Sequence, residues 1–273
     1  MKVLIISHEN DIDGMGNIVL AKLAFEDFDY HLSPSISTLE KKFRTLLNDG
    51  TLAGYDRIYI TDLALDNPSL EMVGEDPELR NKVLIFDHHV ESKKRGLDTY
   101  DFTHIDEIGP NGKHKCGTQM FYEYLQSEGL ISKTPALETF VEMTRLEDTW
   151  DWTKSGELGV KAHDLAILFS ALGIEDYIAN MYRHVKENTL EFSLSDEENA
   201  IVEIKKEEYK DKLRTLWEDT SIFTDEFGNT YGAVFADYQY RNDLAEYIRN
   251  LDDQKGIKYI IIIALEKGIA GQK

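Results

Sequence analysis

The chain contains a single cysteine, Cys116, so it forms no intramolecular disulfide and holds no zinc site built on several thiolates. That scarcity agrees with a reducing, cytoplasmic setting. Basic residues are also scarce: 30 Lys and Arg stand against 51 Asp and Glu, a formal charge of −21. Such a surface is unsuited to gripping long duplex nucleic acid, which needs many phosphates neutralised by Lys and Arg. Long apolar runs are missing as well. The longest near the C-terminus, Tyr259 to Leu265, falls far short of the ~20 residues that cross a bilayer and reads as a buried strand. The apolar start before His8 is too short for a signal peptide, so neither a membrane nor export is expected.

What is present is a soluble, charge-rich composition over 273 residues, enough for two modest domains. Three short β-branched runs, Lys2 to Ser7, Arg57 to Thr61 and Lys82 to Phe86, read as buried strands. Helical spacing follows the first from Asn17 to Phe28, after a polar loop from His8 to Gly16. Strands alternating with helices predict an α/β fold, a parallel sheet with helices on both faces. Helices are expected at Thr118 to Leu125, Ala136 to Leu146 and Asp164 to His184, then a long charged one over Ser195 to Leu216, with Ser195 and Glu198 as a capping box. A strand at Tyr231 to Ala236, a helix at Asn242 to Leu251 and the strand from Tyr259 form a smaller, incomplete C-terminal αβ domain. The expected division is a catalytic domain over 1–190, a helical linker over 191–219 and a partial substrate-binding domain over 220–273.

Ligands of open parallel sheets bind beyond the carboxyl ends of the strands. Here each of the three strands hands over to acid or imidazole at that edge: His8, then Asp62, then Asp87-His88-His89. The loop after His8 carries the pair Asp11 and Asp13, whose carboxylates can serve different metal ions, with Gly14 and Gly16 allowing close approach. A calcium loop of the EF-hand kind is excluded, because Lys22 stands where its terminal Glu belongs. The remaining histidines, His31, His104, His114, His163 and His184, are scattered and read as structural or exposed.

The order His8, Asp11-x-Asp13, Asp62, Asp87-His88-His89 and then Asp148 in Arg-Leu-Glu-Asp-Thr-Trp resembles the four motifs of the DHH phosphoesterase superfamily. The resemblance covers roughly residues 1 to 155, and the segments around Asp148 and Cys116-Gly117-Thr118 are most similar to its nanoRNase and oligoribonuclease branch. It implies a phosphoesterase with two divalent cations, expected ~3.5–4 Å apart. Manganese is the expected metal, with magnesium or cobalt as substitutes. It implies His8 and Asp11 on one ion, Asp13, His88 and Asp148 on the other, and Asp62 bridging both. Asn10 and Glu9 remain alternatives to His8. His89 would face the substrate phosphate, and Asp87 would orient His88.

Thr118, Gln119 and Arg145 are candidate substrate contacts; helix capping and pairing with Glu142 or Glu147 are the competing roles for the first and last. Trp150 and Trp152 could stack a base or pack in the core. The implied substrates are short oligoribonucleotides or small nucleotides such as pAp. Cyclic dinucleotides, pyrophosphate or polyphosphate are the alternatives, a metal-dependent nucleotide-binding regulator is the non-enzyme alternative, and a homodimer is left open. The Gly-rich, His-containing motif that ends many nucleotide-hydrolysing relatives does not occur before the Gly268–Lys273 tail, so the expectation is a truncated or divergent substrate-holding domain.

Overall fold

The computed structural model describes residues 1–237, 240–251, 254 and 256–265; the Gly268–Lys273 tail lies outside them. Two compact units divide the chain, Met1–Val202 and Glu203–Lys273.

The first unit is built on a five-stranded sheet in the order β2-β1-β3-β4-β5, every pair parallel. The strands are β1 (Val3–His8), β2 (Phe28–Ser33), β3 (Arg57–Thr61), β4 (Val83–Asp87) and β5 (Thr103–Ile105). The run in β1 is unbroken in hydrophobicity because both faces are buried. Val3 and Ile5 enter one core with α1 (Ile12–Ala24), α6 (Gly117–Ser127), α7 (Pro135–Asp148), α8 (Gly156–Leu172) and α9 (Ile174–Glu187). Leu4 and Ile6 enter the other, with α2 (Ile36–Asn48), α3 (Asn67–Glu75) and α4 (Pro77–Lys82). The short α5 (Val90–Lys94) follows β4. The strand order reverses between β1 and β3, so the crevice at their carboxyl ends, where His8 and Asp62 stand, is the topological switch point of the sheet.

Several elements differ from the sequence reading. The Asp11–Asp13 pair does not lie in an extended loop: Asp11 is the N-cap of α1 and Asp13 lies in its first turn. The helix expected up to Phe28 ends at Ala24, and β2 follows as an edge strand. The single helix expected from Asp164 to His184 is two, because Gly173 at φ 77 breaks it in a conformation that disfavours any side chain. The capping box opening α10 (Asp196–Glu218) does form: Glu198 N donates to Ser195 Oγ at 3.2 Å and Ser195 N to Glu198 Oε2 at 2.8 Å.

The second unit carries a three-stranded sheet, β6-β7-β8. The strand β6 (Ser221–Thr224), unforeseen in the sequence, pairs antiparallel with β7 (Thr230–Asp237), which pairs parallel with β8 (Tyr259–Leu265). With α11 (Arg241–Arg249) between β7 and β8, its core gathers Val234, Ala236, Leu244 and Ile248 with Leu213 and Trp217. No helix among the described residues is long and apolar enough to cross a membrane.

Candidate metal centre

At the carboxyl edge of the first sheet, a buried polar knot fixes the loop after β1. Ser7 Oγ donates to the Gly14 carbonyl at 3.0 Å, Thr61 Oγ1 donates to Ser7 Oγ at 3.0 Å, and Asn17 Nδ2 donates to the Asp13 carbonyl at 2.9 Å. A Cβ on Gly14 would lie 1.9 Å from the His8 carbonyl oxygen, so the turn closes only with glycine there. Asp11 caps α1 by accepting from Gly14 N at 3.0 Å, which leaves its Oδ2 2.7 Å from His8 Nδ1.

Asp13 is fully buried, its two oxygens accepting from Gly117 N at 2.6 Å and Thr118 N at 2.7 Å. The positive end of α6 therefore holds this carboxylate in place. A side chain on Gly117 would meet Asp62 Cβ at 2.7 Å and Asp13 Oδ2 at 3.0 Å, which explains the glycine of the Cys-Gly-Thr segment.

Asp62 follows β3 at φ 59, the left-handed region unusual for a residue with a side chain, and is 1% exposed. Its Oδ1 is 3.2 Å from His88 Nε2 and its Oδ2 3.5 Å from His8 Nδ1, so one carboxylate reaches both imidazoles. Asp148, the last residue of α7, lies with its Oδ2 3.5 Å from His88 Nε2. The structure thus gathers His8, Asp11 and Asp62 into one potential ligand set and Asp13, His88 and Asp148 into another, while Asp62, His88 and His89 form a third overlapping group.

The electrostatics ask for positive charge. Asp62 Oδ2 and Asp148 Oδ2 are buried without a hydrogen-bond partner among the described residues, and Asp148 sits at the negative end of its helix. Burial, then the neighbouring Asp13, pushes both carboxyls well above their usual range. Burial would lower the His8 imidazole, but its hydrogen bond to Asp11 and the nearby Asp62 carboxylate overcome this and raise it to about 10. These shifts favour protons on groups that a metal would need as lone-pair donors; divalent cations would replace those protons. Oxygen donors with a few imidazoles form a ligand set for divalent cations. The residues fit the two-ion centre that the resemblance implies.

Three expectations change. Asp87 does not orient His88: its Oδ1 accepts from His89 Nδ1 at 2.6 Å and its Oδ2 from Ser92, because the chain turns into α5 directly after His89. Despite burial, which favours its neutral form, that bond to His89 keeps the Asp87 carboxyl below its usual range. His89 stands half exposed, its imidazole raised chiefly by the same bond.

Thr118 is fully buried, with its hydroxyl donating to the Asp13 carbonyl at 2.6 Å. It secures Asp13 rather than presenting a group to a ligand. Arg145 is 2% exposed and spends its guanidinium on Glu142 and Asp151 at 2.8 Å, Thr149 at 3.3 Å and the His114 carbonyl at 3.3 Å. It braces the loop after Asp148. Gln119 Nε2 is engaged by Glu123 at 2.8 Å.

Of the alternatives to His8, Asn10 Nδ2 reaches His8 Nε2 at 3.2 Å and the Pro34 carbonyl at 3.1 Å. Glu9 N is bonded to the Ser33 carbonyl at 3.2 Å. The sequence reading missed Ser7, Asn17 and Thr61, since a buried hydroxyl or amide at a strand or helix end leaves no pattern of its own. It also left His114 among the scattered histidines, although that residue borders the cleft beside His88 and His89.

No family model matches the chain. It is similar to oligoribonuclease NrnB of Bacillus subtilis, 27% identical over 259 residues, which cover 94% of this chain and 62% of that protein. The chain therefore spans less than two thirds of that relative. Among solved structures, it resembles a DHH domain described as belonging to a family of ribosomal proteins, with a TM-score of 0.56 at 12% identity over 97% of this chain and 72% of that one. An uncharacterized Helicobacter pylori protein matches with a TM-score of 0.55 at 17% identity, over 96% of this chain and 83% of that one. At such identities these structures speak to the fold alone. With the order of motifs along the parallel sheet, these likenesses make the chain similar to an oligoribonuclease in sequence and to a DHH domain in fold.

Proposed function

We propose that the chain is a metal-dependent hydrolase that cleaves phosphoester bonds of short oligoribonucleotides or small nucleotides. The observation that carries this reading is the largely buried carboxylate–imidazole cluster at the switch point, two of whose buried carboxylate oxygens make no hydrogen bond among the described residues. His8, Asp11 and Asp62 would hold one divalent cation and Asp13, His88 and Asp148 the other, with Asp62 shared. Bound there, manganese or a similar ion supplies positive charge for a phosphate and makes water more acidic.

The chain's own residues do the rest. Asp87 holds His89 Nδ1, so the opposite ring nitrogen, Nε2, is directed away from Asp87 and can donate to a phosphate oxygen. The Ser7–Thr61–Asn17 knot and the α6 N-terminus keep the carboxylates from shifting as charge develops. Similarity to an oligoribonuclease and the charge of −21 both favour short substrates. We assign the chemistry to residues 1–190 and a substrate-holding part to 220–273, in a cytoplasmic protein.

A panel of a diribonucleotide, pAp, a cyclic dinucleotide and pyrophosphate, each with manganese and with a chelator, tests this. The expected result is hydrolysis of the diribonucleotide or pAp that the chelator abolishes. Turnover of pyrophosphate alone, or turnover indifferent to the chelator, contradicts it.

A further inference from the structure

An open cleft of about 280 Å³ adjoins the metal centre, lined among others by His88, His89, Asp148, His114, Lys115 and Trp150. This is just under the ~300–1,000 Å³ typical of small-molecule sites, a size for a single nucleotide at most. Trp150 is 54% exposed there. Its neighbour Trp152 is already engaged, stacked on His163 at 4.2 Å with the planes 12° apart. Lys115 is tied to Glu123 at 3.0 Å, so it is no free cation for a second phosphate.

The backbone at Trp150 is equally informative. It takes φ 61 just beyond the end of α7, where helices commonly place glycine, a left-handed conformation that strains any residue with a side chain. The loop is held in this state from both sides, because Arg145 bonds Thr149 and Asp151 and reaches across to the His114 carbonyl on the cleft wall. Trp150 is thus strained, braced and more than half exposed at the cleft, its ring tilted against Trp152 at 6.2 Å with the planes 36° apart.

Resting on the phosphoesterase reading above, we infer that Trp150 stacks the nucleobase of the nucleotide whose phosphate lies at His89. Substrates carrying a base are thereby favoured over inorganic phosphates, with tolerance of base identity, since every base offers a π-face. Arg145 is a positioning residue for this platform.

The test measures calorimetric binding of AMP and, as a base-free control, ribose 5-phosphate to the manganese-loaded full chain. Trp150→Ala should weaken AMP by about 10–100-fold, the scale of one base–aromatic stack, while Trp150→Phe stays within roughly threefold of wild type. Ribose 5-phosphate affinity should not move in either. Trp150→Gly separates stacking from folding: it should melt at or above the wild-type temperature, because glycine relieves the strain, yet lose AMP as Trp150→Ala does.

On a diribonucleotide the loss should appear in KM with kcat nearly kept. Equal weakening of both ligands, or of neither, overturns the inference. If AMP binding depends on Trp150 but no phosphoester is hydrolysed, the stack stands and the hydrolase reading falls.

Discussion

Asp62→Asn should yield a chain that melts higher than wild type without metal at pH 8, yet turns over about 10³-fold more slowly or worse with manganese. The activity loss follows if Asp62 is shared between two cations, because charge stabilisation at such a centre is worth several kcal/mol and each ~1.4 kcal/mol is a factor of ten. The stability gain follows from burial and from the adjacent Asp13 and Asp11, which hold the Asp62 carboxyl well above its usual range. A carboxyl raised on folding supports the fold below its unfolded value of ~3.9 and loses that support as pH rises through the folded value. The metal-free wild type should therefore weaken from pH 4 towards neutrality, and the advantage of Asn should grow over the same window. Each regained kcal/mol corresponds to roughly 2–4 °C in a unit of this size. Melting curves at pH 4 and pH 8 with a chelator, plus one assay with manganese, check both halves. A variant less stable than wild type at pH 8 would remove the electrostatic argument.

The second large effect separates neighbours in one motif. His88 Nε2 faces Asp62, Asp13 and Asp148 at 3.2, 3.8 and 3.5 Å, whereas His89 is bonded to Asp87 and stands half exposed. His88→Ala should lower manganese affinity, and excess manganese should restore part of its activity. His89→Ala should keep its metal and lose about 10²–10³-fold in turnover, the scale of one donor to a developing charge, with no rescue by metal. Because Asp87 supports His89, Asp87→Asn should follow His89→Ala in kind and fall about 10–100-fold. If His89→Ala loses an ion while His88→Ala keeps full occupancy, the two roles are reversed.

How much of this was legible in the sequence follows from burial. The strands β1, β3 and β4 lie in the sheet interior with both faces covered, so they appear as apolar runs ending in His8, Asp62 and Asp87. The edge strand β2 is half exposed and polar, and β5 is only Thr103–Ile105, so neither leaves such a run. The ligand candidates could be read because acid and imidazole at three strand ends have a common cause.

Their supports could not be read. That Asp13 is held by the backbone of Gly117 and Thr118 is a contact between residues far apart in the chain, and a backbone donor has no letter in a sequence. The same holds for Asp87, whose partner depends on how the chain turns after β4. Trp150 and Trp152 were ambiguous as a pair until the fold stacked one on His163 and left the other at the cleft.

The most direct test of the account is an anomalous-scattering map from crystals of the manganese-loaded chain. It should show two ions per chain within ~3.5–4 Å of each other, the separation expected of a two-ion centre. Asp62 should bridge them, with His8 and Asp11 on one and Asp13, His88 and Asp148 on the other. A single ion, or two ions that do not share Asp62, would contradict it.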